Sequence, residues 1–242
     1  MFALYKKEIS LFFSSLIGYL VVGLFVLTIG LFLFVLPGQF NILQGGYATL
    51  EPFFALAPWI YLFLVPAISM RLIADERKSG TLEILLTQPI SEFELIFAKF
   101  LAGITLVGLS LLPVVLYYYS VYQLGNPVGN LDSGAMMGSF FGLFLLTVLY
   151  VSVGLFSSSM TDNQVVAFVI AIALSFLLYT GFSSVAVLPV LKIVEIPLSF
   201  LSIETHYASL SRGVVDLRDV IYFVSATSLF LFFSKVNLRI GR

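Results

Sequence analysis

The chain has 242 residues, 60% of them hydrophobic and only 10% charged, with a net charge of −1 and a mean hydropathy of +1.08. Soluble domains run about 45–50% apolar and about 25% charged, so this is the composition of a membrane protein and it excludes an ordinary soluble domain. The near-neutral charge gives no basic surface for nucleic acid, the lack of cysteine excludes disulfides and thiolate chemistry, and the single histidine, His206, argues against a histidine-based metal site.

In chain order, Phe2, Tyr5, Ile9, Phe12 and Leu16 recur at steps of three and four, with Lys6, Lys7, Ser10 and Ser14 on the other side. That spacing predicts an amphipathic helix over residues 2–14 lying in the membrane interface. The following run, Leu16 to Leu36, is too long for the apolar core of a signal peptide, and no A-x-A cleavage site follows it. It is expected to be a retained first span.

A helix needs about 20 apolar residues to cross the hydrocarbon core. Six segments meet that need, at 16–36, 53–71, 98–122, 135–156, 164–188 and, more weakly, 219–234. Pro189 is expected to end or bend the fifth. Helices are required because backbone polar groups in lipid must be satisfied within the segment, and the alternation of a membrane barrel is absent. The expectation is an all-α polytopic membrane protein.

Tyr117, Tyr118, Tyr119 and Tyr122 crowd the end of the third segment and Tyr179 lies near that of the fifth, a pattern expected of an interfacial belt. Gly134, Gly138 and Gly142, four apart, form a stripe that allows close helix packing without saying against what. The stretch 186–218, with Pro189, Pro197 and the run Ile196–Ile203, is too apolar for a free loop and too interrupted for a span. A re-entrant or interfacial element is the reading.

Lys and Arg set the orientation. An inside N-terminus places Lys6, Lys7, Arg71, Arg77, Lys78, Lys99, Lys235, Arg239 and Arg242 in the cytoplasm, against Lys192, Arg212 and Arg218 outside. Both termini are therefore expected on the cytoplasmic side of the cell's inner membrane. The spans carry almost no ionisable groups between their boundary residues, which speaks against a self-contained ion-coupled transporter. His206 has serines nearby, including Ser202, Ser209 and Ser211, but lacks a nucleophile motif, and is expected at the surface or interface and not as a base. No Gly-Lys dipeptide exists, so no phosphate-binding loop exists either. Catalytic, cofactor and metal residues are none.

The charge is concentrated in one place: residues 75–94, where seven of twenty side chains ionise. The topology puts 72–97 in the cytoplasm. Pro89 splits it, with a short helix from Thr81 to Gln88 after the flexible Gly80 and a second helix from Ser91, where Ser91-x-x-Glu94 is a capping box. Leu82, Leu85 and Leu86 share one face and Glu83 points elsewhere. That leucine face can be buried on the bilayer, on the spans, or on a soluble protein that pushes on it.

Glu76-Arg77-Lys78-x-Gly80-Thr81-Leu82-Glu83-x-Leu85-Leu86-x-x-Pro89 resembles the coupling segment between spans two and three of ABC-2-type permeases. The order of amphipathic start, six spans, coupling helix and outer element matches too, so the resemblance runs over the whole of 1–242 as a single permease domain. The run Arg212-Gly213-Val214-Val215-Asp216-Leu217-Arg218-Asp219-Val220-x-Tyr222 is similar to the family's approach to span six. Within the family the chain looks closest to the gliding-motility-associated permease of Bacteroidota. The resemblance implies a permease subunit that is not itself an enzyme. A separate ATPase subunit would bind the ATP and dock on the cytoplasmic segment from Asp75 through Glu76, Arg77, Gly80, Thr81, Leu82, Glu83, Leu85 and Leu86 to Pro89. It also implies a second permease half, identical or paralogous. Competing readings are a structural anchor for an ATPase or motility apparatus, a copper- or drug-related permease of the same superfamily, and an intramembrane hydrolase, which fails for want of a base.

Overall fold

The computed structural model describes residues 1–186 and 199–240, and among these there are helices and no strands. Helix α1 (Phe2–Ser14) ends at Ser15, whose extended backbone turns the chain into α2 (Leu16–Gly30). Ser15 accepts a hydrogen bond from the Gly18 amide, and a Cβ at Gly18 would lie 2.6 Å from the Phe12 carbonyl, so the corner needs a glycine. The amphipathic start is thus a separate helix. Its inward side is Leu4, Tyr5, Glu8, Ile9 and Phe12, whereas Phe2, expected on that side, is exposed.

The first span finishes in a π-helical turn, Leu31–Val35, just after Tyr117 donates to the Val26 carbonyl. A one-turn helix α3 (Ile42–Gly45) leads to the second span, α4 (Glu51–Ser69), which carries Pro58 and Pro66 inside it. It continues past a bend at Met70 into α5 (Arg71–Lys78). The short helix α6 (Thr81–Thr87) follows, then the third span as α7 (Glu92–Ser110) and α8 (Val114–Leu124), bent ahead of Pro113, which has no N–H to give the ladder.

The fourth span is one unbroken helix, α9 (Ser133–Met160). The fifth is α10 (Gln164–Phe176), a π turn at Leu177–Gly181, and α11 (Phe182–Ala186). Then come α12 (Ile203–Leu210) and the sixth span, α13 (Leu217–Ile240). Pro189, Lys192, Pro197 and the first three residues of the run Ile196–Ile203 lie outside the described residues, and with them the middle of the expected re-entrant or interfacial element.

Among the described residues, six helices are long and apolar enough to cross a membrane: Gly18–Val35, Glu51–Lys78, Glu92–Leu124, Ser133–Met160, Gln164–Ala186 and Leu217–Arg239. Spans two and four are 67% and 72% buried, spans one, five and six only 22% each, so two and four are the axis and the others the lipid-facing rim. Small residues bring that axis together. A Cβ on Gly154 of α9 would collide with Ser69 of α4, and one on Gly103 of α7 would lie 2.7 Å from Val151.

Three boundaries differ from the sequence expectation. Span six runs on to Ile240, because its polar end is used inside the protein: Asn237 donates to the Ser159 carbonyl at 2.7 Å and Leu238 is buried. Spans two and three extend into the segment expected to be wholly cytoplasmic, so that only residues 79–91 leave the two long helices. The tyrosine belt is also divided. Tyr119 and Tyr122 are exposed, but Tyr179 is buried edge-on against Trp59 with ring centres 5.4 Å apart.

Candidate coupling site

The bend at Met70 has a definite cause. Ser158 of α9 is fully buried, and its Oγ accepts from the amides of Ile73 and Ala74 at 3.0 and 2.9 Å while donating to the Met70 carbonyl at 2.8 Å. One hydroxyl thus takes the place of the ladder bonds that the bend removes, a side chain inserted into the helix. Asp75, further along α5, is hydrogen-bonded by the Gln164 side chain at the start of α10. The α5 extension is therefore tied to spans four and five as well as being continuous with span two.

At its end the chain turns on Gly80, whose φ of 71° is the left-handed conformation that glycine adopts without penalty. The Gly80 amide bonds the Arg77 carbonyl, and Ser79 bonds both the Asp75 carbonyl and the Thr81 hydroxyl. Helix α6 ends at Gln88, held extended as a residue before proline must be, and Pro89 fixes the turn. Ser91 and Glu94 then form the reciprocal capping box that starts α7. So α6 is a rigid seven-residue rod between two short fixed turns.

The leucine face of this rod is turned in part toward the chain's own core. Leu82 is 6% exposed and belongs to the core, with Leu85 and Leu86 half-buried against it. The spans thus take Leu82 wholly and the other two leucines in part. What α6 shows outward is Thr81, Glu83, Ile84 and Thr87, and Ile84 is 62% exposed. Beside it a groove of about 540 Å³ is lined by Arg77, Gly80, Leu82, Glu83, Leu86 and Thr87, and by Leu238 of span six.

Behind the segment lies an ion network that the sequence reading missed. Lys99, counted above among the cytoplasmic cations, is completely buried. Its Nζ donates to Glu8 Oε1 at 2.8 Å and to the Leu72 carbonyl at 2.5 Å, and pairs with Glu76 Oε2 at 2.7 Å. Lys7 reaches the other Glu76 oxygen at 2.8 Å. Burial acts to lower the Lys7 pKa, but the carboxylates of Glu76 and Glu8 outweigh it and hold it above the ordinary lysine value. Two cations and two acids thus join α1, α5 and α7 at the root of the coupling segment. The signal was present as one lysine in an apolar helix and one glutamate on the amphipathic start.

A family model described as ABC-2 family transporter protein matches residues 2–234, nearly the whole chain. The chain belongs to that family. No curated protein matches it at a significant level. As an ABC-2 family member with six apolar helices it is a multi-pass membrane protein, a permease subunit of an ABC transporter.

The ABC-2 chain has a second polar cluster at the far end of the bundle, and it corrects the expectation of a surface histidine. His206 is 8% exposed; Nδ1 lies 2.7 Å from Asp219 Oδ1 and Nε2 lies 3.0 Å from the Phe200 carbonyl. Its ring stacks on Tyr222 at 4.0 Å. Ser209 Oγ bonds Asp219 and the His206 backbone carbonyl and not the imidazole ring, so the order of contacts is not that of a hydrolytic triad. The cluster fastens α12 to span six, and Tyr207 fastens it to span two through the Phe54 carbonyl at 3.0 Å. Of the glycine stripe, Gly138 and Gly142 are pressed on this same region: added Cβ atoms would lie 2.3 Å from the Gly213 carbonyl and 2.5 Å from Leu210 Cβ. Gly134 would meet only Asp132, at 3.4 Å.

Proposed function

We propose that this permease is energised by a separate ATPase subunit that seats on α6, through its outward face of Thr81, Glu83 and Ile84, with Arg77 and Glu83 at the adjacent groove. The observation that carries the reading is mechanical. Helix α6 is short, fixed at Gly80 and Pro89, and packed by Leu82 onto spans whose second member is locked to the fourth by Ser158. A displacement of α6 therefore moves α5, α4 and α9 as one body, and such rigid shifts between packed arrangements are how large conformational changes are made. ATP is bound by the partner, since this chain lacks a phosphate loop. A second permease half completes the pathway, and the assembly sits in the cytoplasmic membrane with both termini inside. The resemblance to the gliding-motility subgroup of Bacteroidota makes motility-linked transport the favoured setting.

The test compares Ile84→Asp with wild type in membranes at matched expression. A charge placed at an interface hot spot costs about 2 kcal/mol or more, or roughly thirtyfold in affinity. Ile84→Asp should insert and fold, because Ile84 is already 62% exposed, yet fail to co-purify with the ATPase. Wild-type recovery of the ATPase would overturn the seat. Recovery of the ATPase by wild type without ATP-dependent flux in proteoliposomes would favour an anchoring role.

A further inference from the structure

The ion network borders a cavity of about 210 Å³ between α1 and the junction of α4 with α5. Leu11, Phe12, Ile68 and Leu106 form its apolar wall, and Arg71 and Asp75 are at its polar end. Pockets for drug-sized ligands run about 300–1,000 Å³, so this one suits a smaller group. Its place is defined by α1, which carries Lys6 and Lys7 beside the exposed apolar Phe2 and Leu11, the arrangement of a helix at headgroup level.

The charges around the cavity sum to zero: Lys7, Arg71 and Lys99 against Glu8, Asp75 and Glu76. Four of the six are used. Lys99 takes Glu8 and Glu76, and Lys7 takes Glu76. Arg71 and Asp75 are left without an ion pair among the described residues. Asp75 has only the neutral amide of Gln164, and the Arg71 Nε is buried with no acceptor. Four residues apart on a helix they stand one turn from each other, close enough to be bridged by one small molecule.

We propose that Arg71 and Asp75 receive the phosphate and the ammonium of a phosphoethanolamine-type lipid headgroup, with the acyl chains leaving along Leu11 and Leu106. The guanidinium fork matches a phosphate's oxygens, and the Asp75 carboxylate matches an ammonium. The zwitterion is favoured over an anionic lipid because an anionic headgroup leaves the Asp75 carboxylate facing like charge. Bound there, the lipid would bridge the amphipathic helix to the start of the coupling segment. The inference does not depend on the ATPase seat, whose groove shares no lining residue with this cavity.

Native mass spectrometry of the delipidated chain tests it, with phosphatidylethanolamine, phosphatidylglycerol or inorganic phosphate added in turn. Wild type should hold phosphatidylethanolamine adducts in preference to phosphatidylglycerol and should not hold inorganic phosphate. Arg71→Gln should lower the phosphatidylethanolamine adduct about tenfold, and Asp75→Asn should erase the preference between the two lipids. An unchanged adduct in Arg71→Gln, no lipid preference in wild type, or binding of inorganic phosphate alone would overturn the proposal. Should Arg71→Gln fail to fold, photoactivatable phosphatidylethanolamine on the wild-type chain decides: labelling of peptides containing Leu11 or Leu106 supports the site, and labelling confined to other helices refutes it.

Discussion

Replacing Lys99 with methionine removes the hub of the buried network while keeping a side chain of similar length. The ammonium is fully buried and lies within 2.8 Å of each of two carboxylates and a carbonyl. Its loss strands Glu8, 11% exposed, and Glu76, 9% exposed, with only Lys7 left to Glu76. Breaking a buried pair from one side costs about 3–5 kcal/mol because the remaining charge is uncompensated. A chain of this size shifts by about 2–4 °C per kcal/mol, so thermal unfolding in detergent should fall by roughly 6–20 °C. The triple variant Lys99→Met, Glu8→Met, Glu76→Met removes the stranded charges with the hub and should recover most of that loss, since well-packed hydrophobic replacements of buried ion pairs are close to neutral. Intrinsic tryptophan fluorescence reads the transition through Trp59, the only tryptophan. A single variant that melts within 2 °C of wild type, or a triple variant no better than the single, would refute a network of buried, mutually dependent charges.

Gly80→Val places a β-branched residue at φ 71°, where space is open but the backbone is not, so about 1–3 kcal/mol of strain should loosen α6 and uncouple ATP hydrolysis from flux while leaving some ATPase bound, as measured in proteoliposomes. Ser158→Ala leaves the Ile73 and Ala74 amides and the Met70 carbonyl without their partner; at about 1–3 kcal/mol per stranded buried group it should lower the melting temperature more than Ser157→Ala, whose hydroxyl bonds only its own helix. For Lys7 the folded pKa is raised, so its contribution is complete below the unfolded value near 10.5 and is lost as pH climbs past the folded one. The melting difference between wild type and Lys7→Gln should therefore be flat from neutral to mildly alkaline pH and shrink only in strong alkali. His206→Ala opens a gap under Tyr222 and leaves Asp219 with Ser209 alone, and should release α12, seen as faster amide exchange over Ile203–Leu210 than in wild type.

Span number, helix type and the place of α6 were legible because each rests on local signals: apolar length, Gly80 and Pro89 as breaks, Ser91 and Glu94 as a cap. The partners of single polar groups were not legible. Glu8 and Lys99 are 91 residues apart, and Ser158 acts on a carbonyl 88 residues away, so neither contact leaves a periodic trace. The leucine triad shows the ambiguity directly. Its pattern gave an apolar face on α6, but periodicity cannot say whether that face meets the chain's own core or a partner, and here Leu82 went to the core. His206 misled for the opposite reason: a lone histidine in an outer segment has no motif, and only the fold brings Asp219, Ser209 and Phe200 to it.

The central claim is that the outward face of α6 is the seat of the ATPase, and the chain's lack of cysteine makes it directly measurable. Ile84→Cys gives the permease a single thiol at that face, and Leu124→Cys gives one at the other end of span three. A short thiol-to-amine cross-linker applied to membranes carrying the assembled transporter should join position 84 to the ATPase subunit and should leave position 124 unjoined to it. No ATPase captured from position 84, with ATPase present and active in the same membranes, would contradict the account.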